Sequence, residues 1–69
     1  MSGTNVARVT GIIAESPKGF EDAVQVGFAR AASTLRGITG LRIVEQRVSV
    51  KNNKISTYRV KMEVIFILD

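Results

Sequence analysis

Two of the side chains that most often carry out protein chemistry are missing from this sequence, which holds no histidine and no cysteine. The imidazole that moves protons near neutral pH is therefore absent, as is the thiolate that serves as nucleophile. Structural zinc in its usual forms goes with them. The remaining acids are Glu15, Glu21, Asp22, Glu45, Glu63 and Asp69. Only Glu21 and Asp22 are adjacent, and neighbours on a helix point in different directions. They read as solvated acids rather than a general acid–base pair. The glycines form no Gly-x-Gly-x-x-Gly, phosphate loop or nucleophile elbow. Catalysis is not expected. The acids support one other chemistry: several of them meeting across a symmetry axis would hold a hard cation such as Ca²⁺ or Mg²⁺ through oxygen. No spacing in the chain marks where such a metal site would lie.

The basic residues outnumber the acids ten to six, for a net charge of +4, and run from Arg8 and Lys18 to Arg59 and Lys61. Scattered charge of this kind describes a solvated surface; its functional alternative is an anion site formed where subunits meet. No basic cluster is interleaved with aromatics, which argues against a nucleic-acid partner. No apolar run approaches the ~18–20 residues that cross a bilayer, so no membrane partner is expected. Met1-Ser2-Gly3-Thr4-Asn5 carries neither a basic nor an apolar signal region. The expected location is the cytoplasm.

These groups must be positioned by a single domain spanning 1–69, because 69 residues leave no room for a second. The folding balance of so short a chain usually comes out near zero without help. With no disulfide and no zinc, that help is association with other chains. Asn5 to Ala14 reads as a strand, rich in Val6, Val9, Thr10, Ile12 and Ile13. Ser16 is placed as an N-cap and Pro17 as the first residue of a helix. Phe20, Val24, Gly27, Phe28, Ala31 and Leu35 then form one apolar stripe, predicting a helix from about Pro17 to Arg36 that Gly37 ends.

Leu41 to Val50 reads as a second strand, with Val44, Gln46, Val48 and Val50 on one face and Ile43, Glu45, Arg47 and Ser49 on the other. Lys51-Asn52-Asn53-Lys54 is a turn whose asparagines tolerate positive φ. Ile55 to Leu68 is the clearest strand: Tyr58, Val60, Met62, Val64, Phe66 and Leu68 alternate with Thr57, Arg59, Lys61 and Glu63. The fold class is α+β, in the order β-α-β-β, with one helix on the even-numbered face of a three-stranded antiparallel sheet. The first strand is expected to pair with the third.

One helix covers one face. On the other, Ile65 and Ile67 turn apolar where Arg59, Lys61 and Glu63 were polar, and Ile12 joins them if Val9 and Ile13 point inward. Such an exposed patch marks an interface. A homo-oligomer is expected, with Ile12, Ile65 and Ile67 in its contacts.

The ordered set Ser16-Pro17-x-Gly19-Phe20-Glu21-x-Ala23, Ala29-Arg30-Ala31-x-x-Thr34-Leu35, Val44-Glu45-Gln46 and Thr57-Tyr58-Arg59-Val60-x-Met62-Glu63-Val64-x-Phe66-x-Leu68 resembles the dodecins, from about Val6 to Leu68. The resemblance implies a non-catalytic subunit of a hollow homododecamer. Dodecins of the best-known kind bind riboflavin or FMN in pairs at subunit interfaces and store or sequester it. It also implies ligand contacts at Gly40, Glu45, Gln46 and Arg59. Flavin-binding dodecins place a stacking tryptophan where this chain has Gly40, and a ring-edge glutamine where it has Arg59. Losing one stacked aromatic removes about 1–3 kcal/mol, a roughly fivefold to hundredfold weakening. Arginine donates but cannot accept, so it does not replace the amide. The usual flavin site is therefore expected to be absent or rebuilt. Arg59 then either pairs with Glu45 or Glu63, or recruits an anionic ligand together with Arg42 and Arg47. The alternative implied function is a flavin-free shell that holds calcium or magnesium or serves a structural role.

Overall fold

A computed structural model describes residues 6–68. The elements are β1 (Val6–Ser16), α1 (Phe20–Ala32), β2 (Ile38–Lys51) and β3 (Lys54–Leu68), in the expected β-α-β-β order. The sheet is antiparallel throughout, with strand order β1-β3-β2, so the first strand does pair with the third. Asn5, the expected start of β1, lies outside the described residues.

The core forms where the even face of β3 meets the helix. Val60, Met62 and Val64 are fully buried, joined by Ala14 and Ala23, with Ile12, Phe20, Val24 and Leu41 packed around them. Burying a side chain of that size contributes about 1.5–3 kcal/mol. Small residues let the layers close: a Cβ on Gly27 would stand 2.5 Å from Met62 Cε and 3.1 Å from Ala14 Cβ. Phe20 adds an edge-to-face contact with Tyr58, ring centres 5.2 Å apart. Phe28 belongs to the expected stripe but remains 40% exposed, at the helix edge beside Leu41.

The helix is shorter than its periodicity predicts, 13 residues, for reasons local to each end. Ser16 does not cap it. It closes β1, where its hydroxyl donates to Asp22 and accepts from the Lys18 N–H at 3.0 Å. Pro17 therefore belongs to the connection, and Gly19 precedes the first helical turn. At the other end the Ser33 and Thr34 hydroxyls donate to the carbonyls of Arg30 and Ala31, at 2.6 and 3.4 Å. Such hydroxyls compete with continued helix. Gly37 then turns the chain with φ of 71°, and its carbonyl accepts from the Ile67 N–H at 3.0 Å. That anchor starts β2 at Ile38 rather than at Leu41.

Face assignments follow from register, since partners across a ladder share a face. Ile12 lies opposite Met62, Ala14 opposite Val60, and Ser16 opposite Tyr58, so the even residues of β1 face the helix. The expected outward placement of Ile12 is corrected: Val9 and Ile13 face outward, 52% and 60% exposed. Gly27 of the helix comes close to that even face, beside both Ala14 and Ile12.

In β2 a register shift between Ile43 and Glu45 breaks the alternation. Ile43 is opposite Met62 and Gln46 opposite Val60, whereas Arg42, Glu45 and Arg47 face outward. Ile43 thus leaves the face predicted for it, because a bulge at Val44 inserts one residue and flips parity. Asn52 and Asn53 take φ of 52° and 63°, as expected for the two-residue turn. The result is elongated, 57 × 20 × 14 Å, with a radius of gyration of 14.7 Å. A compact chain of this length would have about 11 Å.

Candidate functional site

The sheet face turned away from the helix collects the charged side chains in rows across the three strands. Glu15, Arg59 and Arg47 make one row; Ile13, Lys61 and Glu45 the next; Gly11, Glu63 and Arg42 the third. Beyond them the face turns apolar. Val9, Ile65 and Gly40 share a row, and Ala7 stands opposite Ile67. A charged half and an apolar half therefore lie end to end on one surface.

In the charged half, Arg59 donates through Nε to Glu15 Oε2 at 2.9 Å and through Nη2 to the same oxygen. Arg47 pairs with Glu45 at 3.1 Å and Arg42 with Glu63 at 2.8 Å. The expected pairing of Arg59 with Glu45 or Glu63 is thus corrected. The ladder puts Glu15 directly beside Arg59 and gives the other two acids arginines on β2. All these side chains are 37–66% exposed, so solvent screening leaves each pair with about 0–1 kcal/mol. Between them lies a depression of about 130 Å³ lined by Ile13, Glu45, Arg47, Arg59 and Lys61. Lys61 forms no ion pair among the described residues.

Of the four ligand contacts implied by resemblance, the fold brings two together. Glu45 and Arg59 line the same depression. Gly40 lies opposite Ile65, six residues along β3 from Arg59, or roughly 20 Å at the rise of a strand. A Cβ on Gly40 would meet Ile65 Cδ1 at 3.7 Å, an ordinary contact. Gln46 stands opposite Val60 on the helix side of the sheet, away from the other three. Glu15 and Lys61 belong to the charged cluster and were not singled out from the sequence. The outward direction of Lys61 follows from the period of two, whereas Glu15 lies past the expected end of the strand, on the parity expected to point inward, and reaches Arg59 only through a β1–β3 register that no local pattern encodes.

Among the described residues no group of three or more acids is gathered closely enough to hold a metal ion. No helix among them is long and apolar enough to cross a membrane. Ile65 and Ile67 do lie on the outer face and are half-buried. Two apolar grooves flank the helix: one of about 510 Å³ against β1, and one of about 280 Å³ beside Leu41.

The sequence model of the Dodecin family matches residues 6–69. The calcium dodecin of Mycobacterium tuberculosis is 36% identical over 62 residues, covering 90% of this chain and 87% of that protein. Among solved structures, a dodecin from Streptomyces davaonensis superposes with a TM-score of 0.90 at 34% identity, over 97% of this chain and 98% of the other. The crystal structure of the calcium-chelating antigen calcium dodecin from Mycobacterium tuberculosis, described as having a novel calcium-binding site, gives 0.80 at 37% identity, over 93% and 91%.

Proposed function

The chain belongs to the dodecin family, and from that premise we propose that it is a non-catalytic, cytoplasmic subunit of a hollow homododecamer that stores or sequesters a small ligand where subunits meet. The observation that carries this reading is the shape. One 13-residue helix lies on a sheet drawn out to 57 Å, and the radius of gyration exceeds that of a compact chain by about a third. Val6, Val9, Ile43, Val50 and Ile55 are left exposed. Copies of the chain are the natural cover for such a surface. The absence of histidine and cysteine supports a binding role over a catalytic one.

The ligand is held without the stacked flavin arrangement. Gly40 offers no ring, and Arg59 is engaged by Glu15 on a part of the sheet remote from Gly40. Light scattering tests the assembly: the expected mass is roughly 90 kDa, twelve times the 7.5 kDa chain. A 7.5 or 15 kDa species at micromolar concentration would sink it. Titration of FMN and riboflavin with the assembled protein tests the ligand claim, with no tight quenching expected. Quenching at a fixed flavin-to-subunit ratio would show a rebuilt flavin site instead.

A second reading, a shell that binds calcium, is favoured by the two calcium dodecin comparisons at 36% and 37% identity. Carboxylates from several copies would have to supply the oxygen ligands. On this reading calcium raises the melting temperature of the assembly and a chelator lowers it, since a ligand that binds only the native state stabilises it. Equal melting temperatures in both conditions would set it aside.

A further inference from the structure

We propose that Arg47, Arg59 and Lys61 form a subsite for a small multivalent oxyanion, either inorganic phosphate or the terminal phosphate of a larger ligand. The inference rests on the storage reading above and names a ligand class for it. Arg47 and Arg59 are direct partners across the β2–β3 ladder. Like charges facing each other destabilise a sheet, so this position sets two arginines opposite each other at an energetic cost. Glu15 holds Arg59 from the β1 side and Glu45 holds Arg47 from the next row. Lys61 stands in that next row opposite Glu45 but forms no ion pair among the described residues. Three cations and one carboxylate, Glu45, thus line the depression, with Ile13 as its apolar wall, while Glu15 holds Arg59 from outside it.

Size selects the class of ligand. The depression measures about 130 Å³. That is well below the roughly 300 Å³ at which pockets begin to hold whole small molecules. A tetrahedral oxyanion fits such a space. Guanidinium forks match phosphate oxygens with paired charge-assisted hydrogen bonds, and the Lys61 ammonium adds a point charge. Glu45 is the group such an anion must displace. Its 3.1 Å contact with Arg47 joins side chains that are 48% and 62% exposed, so it yields readily.

The test is calorimetric titration of the protein with inorganic phosphate and with pyrophosphate, ionic strength held constant with chloride, and particle mass measured in the same samples. Saturable binding is expected. Lys61→Gln should weaken it about tenfold or more, the loss of one charge-assisted contact. Glu45→Gln should tighten it severalfold by removing the competing carboxylate, a gain that a merely damaged protein would not show. No saturable binding, or Lys61→Gln and Glu45→Gln proteins that both bind like the parent, overturns the subsite. A full-size particle indifferent to both anions overturns this inference and leaves the storage reading standing. A chain that binds phosphate without assembling keeps the subsite and overturns the shell.

Discussion

Gly27 shows how one missing side chain sets the distance between two layers. Met62 is fully buried, so its Cε has no open space to move into, and Ala14 closes the other side. Gly27→Leu is therefore expected to cost about 1–3 kcal/mol by overpacking, read as a lower denaturation midpoint at unchanged slope. Gly40 is the opposite case, since an added Cβ meets only an ordinary contact with Ile65. Gly40→Trp should leave stability nearly unchanged. If the flavin site has lapsed chiefly for want of a ring, it should raise FMN affinity roughly fivefold to a hundredfold, measured by flavin quenching. An unchanged affinity would mean that Arg59 blocks the site as well. The charged cluster was partly legible in the sequence. Alternation put Arg59, Lys61 and Glu63 on one face, and resemblance drew attention to Glu45. The partner of Arg59 was not legible, because Glu15 lies 44 residues away and reaches it only through strand pairing.

At the scale of elements, β3 could be read almost residue by residue, because its apolar side is buried and its polar side is not. The limits of α1 could not. The apolar stripe continues to Leu35, while the hydroxyls of Ser33 and Thr34 turn back onto the helix and end it. β2 misled in another way: the runs 41–43 and 45–49 each alternate, and nothing local reveals that the bulge at Val44 sets them out of phase. The β2–β3 turn was legible because Asn52-Asn53 is a chemical signal for positive φ. Asn53→Val should cost about 1–2 kcal/mol, since a β-branched residue resists the left-handed conformation. Asn53→Gly should be neutral or mildly stabilising. Thermal melts of both variants check the pair, and equal destabilisation by Val and Gly would contradict the turn assignment.

At the scale of the molecule, the outer face is divided in two: its charged half carries the proposed oxyanion subsite, and its apolar half is the surface proposed to meet another copy. Ile65→Asp should reduce the assembly to smaller species on light scattering, because it places an unpaired charge where copies are proposed to meet. A full-size particle from that variant would remove Ile65 from the interface. Strand order has a further effect, on the making of the protein. The central strand, β3, is the last of the three to be synthesised, and both β1 and β2 pair only with it. A nascent chain bearing β1, α1 and β2 therefore carries two strands with no partner in their own sheet, and every ladder waits for β3 to emerge. The β2–β3 hairpin can zip at once through near neighbours, but β1 must be recaptured from as far as 62 positions away, Val6 against Leu68. Non-local closure of this kind slows folding and leaves strand edges open to aggregation in the interval. The lifetime of that half-made sheet on the ribosome thus becomes a point of vulnerability built into the order of the strands.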